Sequence, residues 1–285
     1  MEKRVATENA ATVDGINQQD YLEFCTFLEN SCGIVLGENK QYLVSSRLKK
    51  LLRDHDIGTL SKLVAILKSG SHPALRDHTI DAMTTNETSW FRDNYPYDAL
   101  RSVVVPALLV QGKRHLRIWS SACSSGQEPY SISIVLDEFL RERPASNVDF
   151  EILATDISPT MLNGARKGIF DAMSITRGLS VERKSRYFTN VDGLWHINEN
   201  VGKRITFKEA NLLGSFSMHG KFDVIFCRNV LIYFAIPLKQ DIIKRMAQCL
   251  NPGGYLFLGG TESAINYTDS FESIRHKNGI IYRLK

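Results

Sequence analysis

The residues best equipped for chemistry stand just behind apolar runs. HLRIWSSA (115–122) leads into Ser120-Ser121-Ala122-Cys123-Ser124-Ser125-Gly126-Gln127-Glu128-Pro129, and FEILATD (150–156) ends on Thr155-Asp156. RITFKEAN leads to Asn211, and KFDVIFCRN ends on Arg228-Asn229. A small-residue loop before a helix lets a ligand approach backbone N–H groups, and a carboxylate such as Asp156 accepts two hydrogen bonds from a ribose diol. A nucleoside-like ligand suits this set. A nicotinamide cofactor does not, because the loop holds a single glycine, Gly126, and 30 residues separate it from Asp156, against about 20 in the dinucleotide fingerprint. Glu128 would repel a pyrophosphate, whereas S-adenosyl methionine carries no phosphate and presents an ammonium that a carboxylate attracts. The plainer alternative is that these residues only cap strands and helices in a sheet without a ligand.

The elements that must position these residues follow from hydrophobic periodicity. After Arg92, apolar runs alternate with amphipathic segments: HLRIWSSA, helix YSISIVLDEFLRER, FEILATD, helix SPTMLNGARKG, RITFKEAN, KFDVIFCRN, helix PLKQDIIKRMAQCL and YLFLGG. That alternation predicts an α/β domain with a parallel sheet, right-handed crossovers and helices on both faces. The final IIYRLK is expected as an antiparallel edge strand. Between 180 and 206 the rhythm lapses, and LWHI and RITF around NENVGK suggest a small inserted hairpin.

The first 90 residues read as helical. One helix, KQYLVSSRLKKLLRDHD, places Val44, Leu48, Leu51 and Leu52 on one stripe. Its basic residues Lys40, Arg47, Lys49, Lys50 and Arg53 fall on the opposite arc, with no acidic residue from 40 to 53. By pattern alone they are either a solvated face or a docking surface.

Composition excludes several classes. With 43% hydrophobic and 23% charged residues over 285 positions the chain has ample material for a core. No apolar run approaches the roughly 18 residues of a membrane span. The polar start lacks a signal-peptide pattern, so a cytoplasmic location is expected. Five scattered cysteines without a C-x-x-C pair read as reduced thiols, and no metal-ligand spacing is present. A net charge of +4 is too small to imply nucleic acid.

TTNETSWFRD (84–93), WSSACSSGQEPYS (119–131), ATDIS (154–158), NLL (211–213), FDVIFCRNVLIYF (222–234) and LNPGGYLFLG (250–259) occur in one order along the chain. In this set the chain resembles the chemotaxis receptor glutamate methyltransferases of the CheR type. The resemblance implies an all-α N-terminal receptor-recognition domain with its linker over about 1–90. It implies a Rossmann-like S-adenosyl-methionine methyltransferase domain over 91–285, with a small antiparallel β insertion at about 180–206. It assigns Asn86, Thr88 and Arg92 to a linker over the cofactor, Glu128 to the methionine ammonium, Asp156 to the ribose, Asn211 and Leu212 to the adenine, and Arg228 and Asn229 to the rest of the pocket. Arg92 and Tyr233 are implied near the transferred methyl, although Tyr233 in VLIYF also suits a core position and Arg92 an interdomain ion pair.

The implied activity is methyl transfer from S-adenosyl-L-methionine to receptor glutamates, giving methyl esters and S-adenosyl-L-homocysteine. Implied partners are chemoreceptors, the methyl-accepting chemotaxis proteins, held by the basic helix. The enzyme is expected as a monomer recruited to membrane receptor arrays, with no nucleic acid and no insertion into the bilayer. A non-catalytic cofactor-binding scaffold and a methyltransferase for a small carboxylic acid are the alternatives.

Overall fold

The computed structural model describes residues 12–13 and 15–285, and the chain divides after Thr85 into two compact units. In the first, strands β1 (Thr12–Val13) and β2 (Ile16–Asn17) form a short antiparallel pair ahead of four helices: α1 (Gln18–Cys32), α2 (Gln41–Asp54), α3 (Leu60–Ser69) and α4 (Pro73–Met83). Local sequence sets their ends. The Asn17 side chain accepts the Asp20 N–H and the Thr59 hydroxyl accepts the Lys62 N–H, while Gly33 and Gly70 close α1 and α3 in the left-handed region. On α2 the expected stripe is the buried one, with Val44, Leu48 and Leu51 inside and Leu52 half-buried. It packs in a core that includes Phe24, Leu28, Leu63 and Ile80.

The second unit opens with α5 (Tyr95–Ala99), which continues through a π-helical turn (Leu100–Val104) into α6 (Val105–Val110). There follow β3 (His115–Ser121), α7 (Gln127–Glu142), β4 (Asp149–Asp156), α8 (Pro159–Lys167), β5 (Ile169–Phe170), α9 (Ala172–Thr176), α10 (Val181–Tyr187), β6 (Phe188–Val191), β7 (Leu194–Ile197), α11 (Glu199–Gly202), β8 (Ile205–Glu209), β9 (Phe222–Cys227), α12 (Ile236–Cys249), β10 (Leu250–Leu258), β11 (Phe271–His276) and β12 (Gly279–Leu284). Seven strands form one sheet in the order β11-β12-β10-β9-β3-β4-β8, with β8, β4, β3, β9 and β10 parallel. Side chains alternate across it. Ile118, Val224 and Phe226 enter the core that holds Leu136 and Phe139 of α7, while Trp119, Ile225 and Cys227 enter the core that holds Ile242 and Met246 of α12.

Two expectations are corrected here. The carboxy-terminal IIYRLK is β12, antiparallel but interior, and the edge is β11. FESIRH escaped notice because it is a half-exposed strand with charges at Glu272 and Arg275 and no apolar run. The inserted hairpin is not LWHI with RITF. LWHI is β7, paired to β6 through Val191 and Leu194 and to β5 through Phe170 and Trp195, so the antiparallel insertion runs from 169 to 197 instead of 180 to 206. Asp192 and Gly193 both hold positive φ, 50° and 83°, which is the Asp-Gly chemistry that a tight hairpin requires. NENVGK contributes helix α11, and RITF belongs to β8 in the large sheet.

Candidate functional site

Parallel pairing brings the polar strand ends together. Ser121 of β3 is level with Thr155 of β4 and Cys227 of β9, and Cys227 is level with Leu258 of β10. The next residues of these strands therefore emerge side by side at the carboxyl edge of the sheet, where open α/β folds bind ligands.

Glu128, in the first turn of α7, is buried, and both of its oxygens are engaged. Ser120 Oγ donates to Oε1 at 2.8 Å and Arg228 Nη1 donates to Oε2 at 3.0 Å. Burial pushes the Glu128 carboxyl above its ordinary range, while Arg228 and Ser120 pull it back. Arg228, with a side chain only 1% exposed, also donates through Nη2 to Asp93 Oδ2 at 2.7 Å and to the Arg92 carbonyl at 2.9 Å. Its Nε is buried without a hydrogen-bond partner.

Asp156 accepts the Ser124 N–H on Oδ2 at 2.7 Å and the Ser158 N–H on Oδ1 at 2.9 Å. Gly126 serves packing more than ligand approach. Its φ is 94°, and a Cβ there would stand 3.0 Å from Ala165 Cβ and 3.1 Å from the Tyr130 ring.

The segment before α5 is anchored within the same unit. Trp90 is buried between Phe170 and Phe188, with ring centroids 4.9 and 5.1 Å away, and its Nε1 donates to the Ser174 carbonyl. The half-buried Asn86 accepts the Ser124 hydroxyl on its carbonyl at 2.8 Å, and Thr88 is half-buried beside it in sequence. Arg92 is half-buried and reaches the Glu87 carbonyl at 3.2 Å, while its own carbonyl is held by Arg228. Asn211 follows β8 and accepts the Leu213 N–H at 3.0 Å, and the Leu212 carbonyl is held by Arg245 of α12 at 2.7 Å. Asn229 follows β9 with φ of 57°, and Tyr233 stands half-buried in the 3-10 turn Leu231–Tyr233, packed against the α12-side core.

Strain gathers around these residues. Phe91, Asp93, Asn94, Ala122, Ser124 and Asn229 all have φ between 48° and 67°, a region that side chains other than Asn and Asp rarely adopt. Three residues here escaped the sequence reading. Ser120 lies inside the quoted loop, but its bond to Glu128 could not be read there. Asp93 is visible only through Arg228, 135 positions away. Glu262 follows the fifth strand, beyond Gly259 and Gly260, where no motif marks it in the sequence.

The basic residues of α2, together with Lys40 at its N-cap, separate into two kinds. Lys40, Lys49, Lys50 and Arg53 are exposed, whereas Arg47 is committed to the end of α4, donating to the Met83 carbonyl at 2.5 Å, the Thr84 carbonyl at 3.1 Å and Thr85 Oγ1 at 2.8 Å.

The strand-end residues suit S-adenosyl methionine. Two carboxyl groups, Glu128 and Asp93, flank the single Arg228 guanidinium, an acidic excess that suits a cofactor cationic through its sulfonium. The lone Arg228 Nε is a donor for which the cofactor's carboxylate offers an acceptor. Among the described residues no group of three or more His, Cys, Asp or Glu side chains is placed to hold a metal, and burial pushes the Cys123 thiol well above its ordinary range.

Comparison with known proteins points the same way. Residues 86–280 match the family described as CheR methyltransferase, SAM binding domain, and 19–84 match CheR methyltransferase, all-alpha domain. Chemotaxis protein methyltransferase 1 of Vibrio cholerae is 48% identical, covering 95% of this chain and 98% of that protein. Chemotaxis protein methyltransferase Cher2 of Pseudomonas putida is 47% identical, covering 93% and 98%. The same-named protein 1 of Pseudomonas aeruginosa is 48% identical with the same coverage as Cher2. Matched over 19–84 and 86–280 by the family's two domains and by relatives 47–48% identical over nearly their whole length, this chain is a member of the CheR methyltransferase family.

Proposed function

We propose that this chain transfers the methyl group of S-adenosyl methionine to glutamate side chains of chemoreceptors. The observation that carries this reading is the pairing of Asp156 with the Glu128–Arg228–Asp93 cluster at adjacent strand ends. It provides a polar end for the methionine part of the cofactor and a carboxylate for its ribose. Asn211 and Leu212 are assigned to the adenine. When bound, the cofactor supplies a methyl on a sulfonium whose sulfur takes the C–S electron pair on transfer, leaving as S-adenosyl homocysteine.

The protein's part is positioning. A receptor glutamate, with an ordinary pKa of about 4.3, is already a carboxylate at neutral pH and needs no general base. Holding it in line with the methyl is the main source of rate. Arg92 and Tyr233 are assigned to orient it, through a guanidinium and a phenol that donate to a carboxylate oxygen. Too strong a grip by Arg92 would stabilise the ground state, so its role is alignment. The exposed Lys40, Lys49, Lys50 and Arg53 of α2 suit an acidic receptor helix, by charge complementarity that steers and orients. Arg47, bound to α4, is left out of that surface.

The test is transfer of labelled methyl from S-adenosyl methionine to receptor-bearing membranes, scored as base-labile label, with Asp156→Ala as control. Base-labile label on receptor glutamates that disappears in the variant supports the reading. Cofactor binding with no label on any receptor refutes the acceptor.

A further inference from the structure

The turn after β10 holds a carboxylate with no role in the scheme above. Glu262 Oε2 accepts the Asn229 N–H at 2.8 Å and the Gly259 N–H at 2.7 Å, and its Oε1 accepts the Ile232 N–H at 3.3 Å. One side chain thus ties the second residue after β9, the residue after β10 and the 3-10 turn that carries Tyr233. Bonds from amides to a carboxylate are among the stronger hydrogen bonds of a protein.

Two backbone features exist to allow this. Asn229 takes a φ of 57°. Gly259 has no room for a side chain: a Cβ would lie 2.7 Å from Glu262 Oε2, 2.8 Å from Asn229 Nδ2 and 2.9 Å from Asn229 N. The approach of the two strand ends is therefore built around the Glu262 carboxylate.

We propose that Glu262 is a positioning residue for methyl transfer, its carboxylate fixing the Asn229–Tyr233 turn and through it the place of the Tyr233 phenol. This rests on the reading of Tyr233 as a group near the reacting carboxylate. A side chain displaced by about 1 Å costs on the order of 100-fold in rate, and without Glu262 the part-buried Asn229 and Gly259 amides and the exposed Ile232 amide lose one shared acceptor.

The experiment uses the full chain and four variants: Glu262→Ala, Glu262→Gln, Tyr233→Phe and the double variant Glu262→Ala/Tyr233→Phe. Readouts are kcat with receptor-bearing membranes, cofactor Kd by calorimetry, thermal midpoint, and the 19F spectrum of protein labelled with 3-fluorotyrosine. Glu262→Ala is expected to lower kcat about 100-fold, with a smaller loss in cofactor Kd because Asn229, assigned to the cofactor pocket, loses its acceptor as well. Glu262→Gln should recover most of the rate, because its amide oxygen can accept the Asn229 and Gly259 N–H groups. The double variant should lose no more than the worse single one, since both act through one group. The Tyr233 fluorine signal, identified by its loss in Tyr233→Phe, should shift in Glu262→Ala and return in Glu262→Gln.

Additive losses in the cycle, an unmoved fluorine signal, a loss confined to cofactor Kd, or equal failure of Ala and Gln with a matching fall in thermal midpoint would each overturn the proposal. The spectrum needs no acceptor. A wild type that labels no receptor therefore refutes the receptor substrate without touching Glu262, and a silent Tyr233→Phe refutes the tyrosine's role and this proposal with it.

Discussion

On α2, Lys40, Lys49, Lys50 and Arg53 stand exposed, while at the strand ends Glu128, Asp156 and Arg228 are buried and bonded to protein atoms. The first group keeps its hydration, so each member contributes little to folding and acts at a distance, subject to salt. The second has given up its water and depends on every partner it has. Charged side chains are thus left hydrated in one unit and desolvated in the other. Arg47 shows that a single helix face can hold both kinds, since it lies in the basic run yet is spent on three oxygens at the end of α4.

The sharpest way to break this contrast is Arg228→Met. Glu128 and Asp93 would be left without their cation, and unfolding in urea should show a loss of about 3–5 kcal/mol; a variant as stable as the parent would mean the cluster is not a unit. Asp156→Ala is expected next, weakening cofactor binding by about 10- to 100-fold in calorimetry, the worth of a charged hydrogen-bond acceptor. Arg47→Ala should cost about 1–2 kcal/mol of stability in the helical unit through lost bonds to carbonyls. Lys49→Ala and Lys50→Ala should stay within about 0.5 kcal/mol of the parent. Their effect belongs in receptor affinity, falling at low salt and converging with wild type at high salt.

The contrast also has a sign in pH. Burial raises the Glu128 carboxyl above its ordinary value, so its contribution to stability is present in acid and is lost as pH rises through the raised value. Asp98, half-exposed, is lowered from 3.8 by bonds from Lys277 and then His276, so its contribution is present above the ordinary value and is lost as pH falls through the lowered one. Carboxyl-carbon NMR should find the two titrating on opposite sides of their ordinary values. Titration in the same direction would dissolve the distinction.

Much of this was legible because apolar runs and polar strand ends are local signals. Asp156 and Arg228 could be marked from the sequence alone, and so could the buried stripe Val44, Leu48 and Leu51. What a run cannot show is who answers across the fold. Glu128 reads as a lone carboxylate until Arg228, 100 positions away, is seen against it. Periodicity puts Arg47 on the basic arc but says nothing of the α4 carbonyls it meets. The hairpin went wrong at Asp192-Gly193, a turn signal outweighed by the more polar NENVGK. Strand β11 is half-exposed and charged, so hydrophobicity had nothing to detect.

The positive-φ backbone around the site bears on how this protein can be made to tolerate heat. Asn229 carries that geometry at small cost, but Phe91 and Ala122 do not, and such residues are stored strain of about 1–3 kcal/mol each. A glycine at Ala122 would relax the loop and at the same time loosen the segment that presents the Ser124 amide to Asp156. Thermal hardening of this enzyme therefore has to be found in its helix caps and exposed faces, because the strand ends are where its stability has been exchanged for placement.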